Sequence, residues 1–231
     1  LLRFIELSVG RKKDACNGIE AAMECLLAFP IGYAFGCFLT ADVVCRMSVH
    51  KSCFSIGDGN PGMANVGHVL GTKAALAVLA GDILKTLLAV LISWALLGHA
   101  LAVTLWAGFG ATAGHNFPIW HHFRGGKGVT TTCSTIILAS PLAGILSSIA
   151  GFAVGVVALG YLCLGALLIP SIFFVWIAIA GAGAWALVPA ALLVLLMFKA
   201  HLPAALHIKD GSTPHASIAD KTLELLHLKK S

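Results

Sequence analysis

Apolar residues gather into long runs along this chain, at about 22–41, 72–98, 100–116, 129–140, 142–160, 162–181 and 184–200. A helical span needs about 20 mostly apolar residues to cross a hydrocarbon core of roughly 30 Å, so six or seven spans nearly exhaust a chain of this length. Helices are expected because backbone exposed to lipid must satisfy its own hydrogen bonds. The pattern predicts an all-α fold, a polytopic membrane helical bundle of about seven transmembrane helices, the fourth of them short. Gly151 and Gly155, and Gly181 and Gly183, are placed either for close helix approach or as turns. The division that follows is an N-terminal extension (1–21), a membrane domain (22–206) and a C-terminal tail (207–231).

Composition narrows the choice of class. The 231 residues are 58% hydrophobic and only 11% charged, with a mean hydropathy of +0.93, which leaves no room for a separate water-soluble domain. The net charge is +5. Its basic residues are scattered through connections and termini without interleaved aromatic platforms, so anionic headgroups of membrane lipids, and not nucleic acid, are the expected partner. Seven cysteines form no CxxC pair and read as small buried hydrophobes. Arg3, Arg11, Lys12 and Lys13 precede the first apolar run, but Glu20 and Glu24 flank it and no small-residue cleavage site stands out. That segment reads as an interfacial or poorly ordered extension and not a signal peptide.

Lysine and arginine set the expected orientation. Beyond the N-terminal four they fall in 42–73, at Lys85, at Arg124 and Lys127, and from Lys199 onward, whereas the connections near 98–100, 140–142 and 181–184 have none. The positive-inside rule then puts the 42–71 and 118–128 loops and the C-terminal tail in the cytoplasm, and an odd number of spans puts the N-terminus outside. The four N-terminal basic residues run against this orientation.

Three polar islands share the basic side. The first, GDGNPGMAN from Gly57 to Asn65, predicts irregular backbone with free N–H donors, suited to an anion or to an ordinary turn. The second, GHNFPIWHHFRGGKGVTT from Gly114 to Thr131, ends one span at His115 and Asn116 and opens the next through Gly125, Gly126, Lys127 and Gly128. A glycine-rich loop entering a helix N-terminus beside Arg124 and Lys127 is a phosphate-binding arrangement, although it is not a Walker A loop. The third is Asp82 and Lys85, three apart on one face of a span, which either neutralise each other or floor a polar pocket. His201 closes the last span, as a cap or as a site residue. The adjacent His121 and His122 lack a nearby carboxylate or cysteine and give no metal site.

The second island resembles the PlsY-type acyl-phosphate:glycerol-3-phosphate acyltransferases of bacterial membranes. Their segment of the form GHxFPxxxxFKGGKGVAT is matched in order and spacing by Gly114, His115, Phe117, Pro118, Phe123, Gly125, Gly126, Lys127, Gly128, Val129 and Thr131. Pro30, Gly32, Asp82, Leu84, Lys85, His201 and Gly211 extend the likeness over about Leu27 to Thr213. The resemblance implies seven spans, an outside N-terminus, and a multi-pass protein of the bacterial cytoplasmic membrane with its active loops in the cytoplasm. It also implies transfer of a fatty acyl group from acyl-phosphate to the 1-hydroxyl of glycerol 3-phosphate, giving lysophosphatidic acid, without a metal or other cofactor. The chain departs from the family at Asp58, where a serine is expected, at Phe54, where an arginine is expected, and at Ala204 and Thr213, where an asparagine and a glutamate are expected. Lys51 is the nearest basic residue to Phe54.

An acyl-phosphate is already activated, so orientation and phosphate binding carry most of the work, with a general base as a further aid. Lys127, Arg124 and the amides of Gly125, Gly126 and Gly128 are expected to bind a phosphate, with Lys85 and His201 lining the pocket and Asn60 and Asn65 orienting the glycerol. His115 is the first candidate for the base, with Asp58 or a substrate phosphate as alternatives. The rival reading is a small-solute transporter, which would spread polar residues over both faces. A relative with altered or lost activity is the third. The sequence does not give the oligomeric state or the acyl-chain preference.

Overall fold

The computed structural model describes residues 18–216. The extension up to residue 17 and the tail beyond residue 216 lie outside the described residues. Among those described, the helices run in the order α1 (Ile19–Gly36), α2 (Thr40–Val49), α3 (Met63–Leu70), α4 (Thr72–Leu97), α5 (Leu101–Asn116), α6 (Val129–Ala139), α7 (Pro141–Phe152), α8 (Leu162–Ile179) and α9 (Ala184–Leu206). A π-helical stretch, Ala153–Ala158, prolongs α7.

Each of the seven apolar runs becomes a helix. Five stretches are long and apolar enough to cross a membrane: Ala22–Val49, Thr72–Leu97, Pro141–Ala158, Leu162–Ile179 and Ala184–Leu206. The other two are shorter. With 16 and 11 residues, α5 and α6 rise only about 24 and 16 Å. A short α5 is tolerated because it is the central helix. Nearly all its residues are buried, and α1, α4, α6 and α9 pack around it, so it meets protein and not lipid. By contrast the outward faces of its neighbours carry exposed Leu26, Leu84, Leu91, Ile149, Ile179 and Leu195, an apolar surface that requires an apolar solvent.

Small residues set the tightest approach, between the parallel helices α1 and α5. Gly32 and Gly36 lie against the carbonyls of Ala107 and Ala111, and Gly110 and Gly114 against those of Phe29 and Tyr33, with no room for a Cβ at any of the four. Gly151 and Gly155 do the same between α7 and α8, against Ile169 and Gly165. Gly181 and Gly183 have nothing within 4 Å and belong to the turn before α9.

This up-and-down arrangement places residues 37–71, 117–128, 159–161 and 207–216 at one end of the bundle, and 98–100, Ser140 and 180–183 at the other. The second set contains no lysine or arginine. Lys85 on α4 is level with His115 at the end of α5, so the first half of α4 overruns α5 by about 20 Å. The expectation of a loop over 42–71 is corrected here. Most of that segment is the two short helices α2 and α3, because Ala41, Cys45, Cys53 and Val66 form a second small core against Val78 of α4. Only residues 50–62 are irregular, apart from a 3-10 turn at Cys53–Ser55.

Candidate active site

Asp82 and Lys85 share a face of α4 and form an ion pair, Nζ to Oδ1, of 2.8 Å. Lys85 also donates to the Phe38 carbonyl at 2.9 Å and lies 2.8 Å from Nδ1 of His115. The Thr40 hydroxyl donates to the same Asp82 oxygen at 3.3 Å. All four side chains are buried. The pair thus joins the start of α2 and the chain just before it to α4 and α5, at the level where α5 ends.

The glycine loop lies directly over His115. The Gly126 N–H donates to the His115 carbonyl at 3.0 Å, and a Cβ on Gly126 would overlap Nε2 of the ring. Gly125 is pressed in the same way against the carbonyls of His115 and Asn116. Gly128, with a left-handed φ of 77° at the N-cap of α6, touches Oδ1 of Asn116 and the side chain of Thr112. Small residues are therefore needed at all three positions, and at Gly128 the backbone itself requires glycine. Lys127 and Arg124 project from the loop into solvent. His201 is buried in the last turns of α9. Lys199, also on α9, sits 4.5 Å over the Phe117 ring.

Near this loop several buried polar atoms have no hydrogen-bond partner among the described residues: Thr112 Oγ1, Asn116 Oδ1, Thr132 Oγ1 and His201 Nε2. Buried polar groups are nearly always paired, so a cluster of exceptions marks a place that a polar ligand completes. Beside it, on the other side of Lys85, a cavity of about 440 Å³ is lined by Ala34, Phe35, Phe38, Gly81, Leu84, Lys85 and Leu88. Apart from Lys85 its walls are apolar, and the exposed Phe38 and Leu84 flank its mouth on the outer surface of the bundle.

The first island stands next to this centre without merging into it. Asp42 organises its base, accepting from Arg46 at 2.6 Å, from the Ser52 hydroxyl at 2.7 Å and from the Cys53 N–H at 3.0 Å. Burial, with the Asp42 carboxylate nearby, pushes the Cys53 thiol up to about 12. Asn65 is wholly occupied in holding the loop shut. Its amide donates to the carbonyls of Ile56 and Asn60 at 3.1 and 3.0 Å and accepts from the Asp58 N–H at 3.0 Å. Asp58 is exposed, and its carboxylate accepts from the Asn60 N–H at 2.9 Å. The two islands meet through Phe54, whose ring lies 5.4 Å from that of His121.

In the tail, the two family departures touch one another, since the Thr213 hydroxyl donates to the Ala204 carbonyl. His207 and Ser212 hold the Asp210 carboxyl well below the usual carboxylate range. Of the residues singled out in the sequence, Lys85, His115, Gly125, Gly126, Lys127, Gly128 and His201 gather at one place. Asp58 and Asn65 belong to the loop beside it. The sequence reading missed Thr40, Asp42, Thr112 and Thr132. Only Asp42, four residues before Arg46 on a helix, left a readable signal.

A family model described as glycerol-3-phosphate acyltransferase matches residues 26–210. The "Glycerol-3-phosphate acyltransferase 1" of Lactobacillus johnsonii is 40% identical over 130 residues, which are 56% of this chain and 63% of that protein. The glycerol-3-phosphate acyltransferase of a Thermoanaerobacter species is 37% identical over 145 residues, 63% of this chain and 72% of that one. Two crystal structures of PlsY, an integral membrane glycerol 3-phosphate acyltransferase, share the fold. The lysophosphatidic acid form has a TM-score of 0.72 at 23% identity, covering 83% of this chain and 94% of that one. The glycerol 3-phosphate form has a TM-score of 0.69 at 23% identity, covering 89% and 98%. A family match across four fifths of the chain includes the glycine loop, Asp82 and Lys85 of α4 and His201, and sets the transporter reading aside. The chain belongs to the glycerol-3-phosphate acyltransferase family.

Proposed function

We propose that this protein transfers a fatty acyl group from acyl-phosphate to glycerol 3-phosphate, making lysophosphatidic acid for phospholipid synthesis in a bacterial cytoplasmic membrane, with the loop-bearing end in the cytoplasm. The observation that carries the reading is the junction at Lys85. An apolar cavity open toward lipid lies on one side of it, and a basic glycine loop at a helix N-terminus lies on the other. A substrate that is a phosphate at one end and a hydrocarbon chain at the other suits this junction.

In this reading the acyl chain enters between Phe38 and Leu84 and lies along the cavity. The phosphate meets Arg124, Lys127 and the backbone of Gly125, Gly126 and Gly128. Thr112, Asn116, Thr132 and His201 give the acceptor polar partners. Asn60 and Asn65 contribute by shaping the loop that faces it. The acceptor hydroxyl oxygen attacks the acyl carbonyl carbon, the carbon–oxygen bond to phosphate breaks, and the hydroxyl proton leaves with the phosphate. Lysophosphatidic acid and hydrogen phosphate are the products, and no acyl-enzyme forms. The protein supplies orientation and charge stabilisation.

Purified protein in lipid vesicles, given palmitoyl-phosphate and isotope-labelled glycerol 3-phosphate, is expected to yield labelled lysophosphatidic acid. Failure of the wild type to do so, with the chain folded, sinks the proposal. Product from Phe54→Arg alone would identify the chain as a relative that has lost activity.

A further inference from the structure

We propose that Lys85 is a positioning residue that fixes the tautomer of His115, so that the imidazole meets the substrate as an Nε2–H donor and not as a base. The inference rests on the acyl-transfer reading for what the donor does, but the tautomer follows from the geometry of the network alone.

An ammonium group has three hydrogens and no lone pair. Around Nζ of Lys85 stand three acceptors at hydrogen-bond distance: Asp82 Oδ1 at 2.8 Å, the Phe38 carbonyl at 2.9 Å and His115 Nδ1 at 2.8 Å. Asp82 is buried; the neutral Thr40 hydroxyl donates to its Oδ1 at 3.3 Å, and His115 Nδ1 stands farther off, at 3.8 Å, than it does from Nζ of Lys85. A neutral amine would leave that carboxylate as an uncompensated charge inside the bundle, so Lys85 holds its proton. A charged lysine can only donate, and Nδ1 must therefore accept. The proton of the neutral ring then sits on Nε2. Protonating both nitrogens would set an imidazolium N–H against the lysine ammonium, with one carboxylate for two cations.

Nε2 is the atom that faces the glycine loop, because the backbone of Gly126 packs so closely against it that a Cβ there would overlap it. The N–H is thus aimed at the segment where Arg124 and Lys127 gather negative charge. A donor there stabilises the oxygen of the acyl carbonyl as it gains charge, or a phosphate oxygen. It cannot take the hydroxyl proton, because Nε2 already bears one and Nδ1 is held by Lys85. Asp82 in turn keeps the lysine charged.

Protein labelled with ¹⁵N-histidine in lipid nanodiscs, without substrate, reads the tautomer directly, the His115 pair being identified by its loss in His115→Gln. A pyridine-type Nδ1 and a pyrrole-type Nε2 are expected, and a protonated Nδ1 overturns the proposal. The double variant Asp82→Asn/Lys85→Met removes both charges together and keeps the site neutral. It should give a mixture of tautomers and lose at least about tenfold in kcat with KM changed much less, a tautomer ratio like the wild type overturning the role of Lys85. His115→Gln puts an amide N–H near the place of Nε2–H and should retain at least about tenfold more activity than His115→Ala, whereas equal loss in both is the result for a base. Wild type that shows the expected nitrogens but makes no lysophosphatidic acid would sink the acyl-transfer reading and leave the tautomer assignment standing.

Discussion

At one end of the bundle α4 turns into α5 across residues 98–100, and indoles close it. Trp94 Nε1 donates to the Thr104 hydroxyl at 2.8 Å, that hydroxyl donates to the Ala100 carbonyl at 3.0 Å, and Trp106 Nε1 donates to the Trp185 carbonyl at 3.0 Å. At the other end His115 and Asn116 close α5 beside the glycine loop, His201 is buried in the last turns of α9, and four buried polar atoms there lack a partner among the described residues. Both ends are built from the same apolar helices. The difference lies in polar accounting: at the tryptophan end the indoles of Trp94 and Trp106 and the Thr104 hydroxyl are paired within the protein, and at the histidine end Thr112, Asn116, Thr132 and His201 are not. Where the protein leaves such groups open, a substrate is the partner they suit.

The sharpest way to break that contrast is at the ion pair. Asp82→Ala leaves Lys85 charged, buried and short of its carboxylate, and should cost about 3–5 kcal/mol of stability as well as most of the activity. Thermal unfolding in detergent or nanodiscs measures the first effect. Lys127→Ala should do the reverse. The side chain is exposed and makes no hydrogen bond or ion pair among the described residues, so the melting temperature should stay put. Acyl transfer should fall about 10²- to 10³-fold, as for loss of one transition-state contact. A Lys127→Ala enzyme with ordinary turnover would remove the phosphate from the glycine loop. At the opposite end Trp106→Phe loses one hydrogen bond and should cost about 1 kcal/mol of stability, with turnover per folded molecule unchanged.

How much of this was legible in the chain depends on the range of the interaction. The seven runs, the charge asymmetry between ends and the glycine loop are local patterns, and all appear in the structure as helices, as two unlike ends and as a loop on His115. The partnership of Lys85 with His115 spans 30 residues, and the closure of α1 on α5 joins Gly32 to Ala107. Neither leaves a periodic trace. The segment 42–71 misled for a different reason. Its polar content reads as loop, but Ala41, Cys45 and Val66 are enough to seat two short helices on the overrun of α4. Asn65 looked like a ligand for the substrate because asparagine in a glycine-rich turn is equally suited to binding and to tying the turn, and here every arm of its amide is used on the turn.

Asp58 provides a finer test of the histidine end. Its exposed carboxylate stands on the loop beside a site meant for phosphates, and one unit charge a few ångströms from another in water is worth about 1 kcal/mol. Asp58→Ser should therefore lower the KM for glycerol 3-phosphate by about fivefold, with kcat little changed and the difference shrinking as salt is raised. The Ser side chain can still accept from the Asn60 N–H, so the loop should keep its shape. A KM that does not move would place the acceptor phosphate away from this loop.

The smallest effect tests how firmly the base of that loop is closed. Cys53 is fully buried, and its thiol is pushed up to about 12 by burial and by the Asp42 carboxylate. In the unfolded chain it returns to about 8.5. The folded state therefore holds the thiol proton more tightly. Its contribution is whole below about pH 8.5 and drains away as pH rises from there toward 12. Wild type should lose more melting temperature between pH 7.5 and pH 10 than Cys53→Ala does, and the folded protein should resist alkylation at Cys53 at pH 8 while the denatured chain reacts. Rapid alkylation of the folded chain would mean that residues 50–62 open readily, and that the loop facing the substrate is gated and not pinned through Asp42.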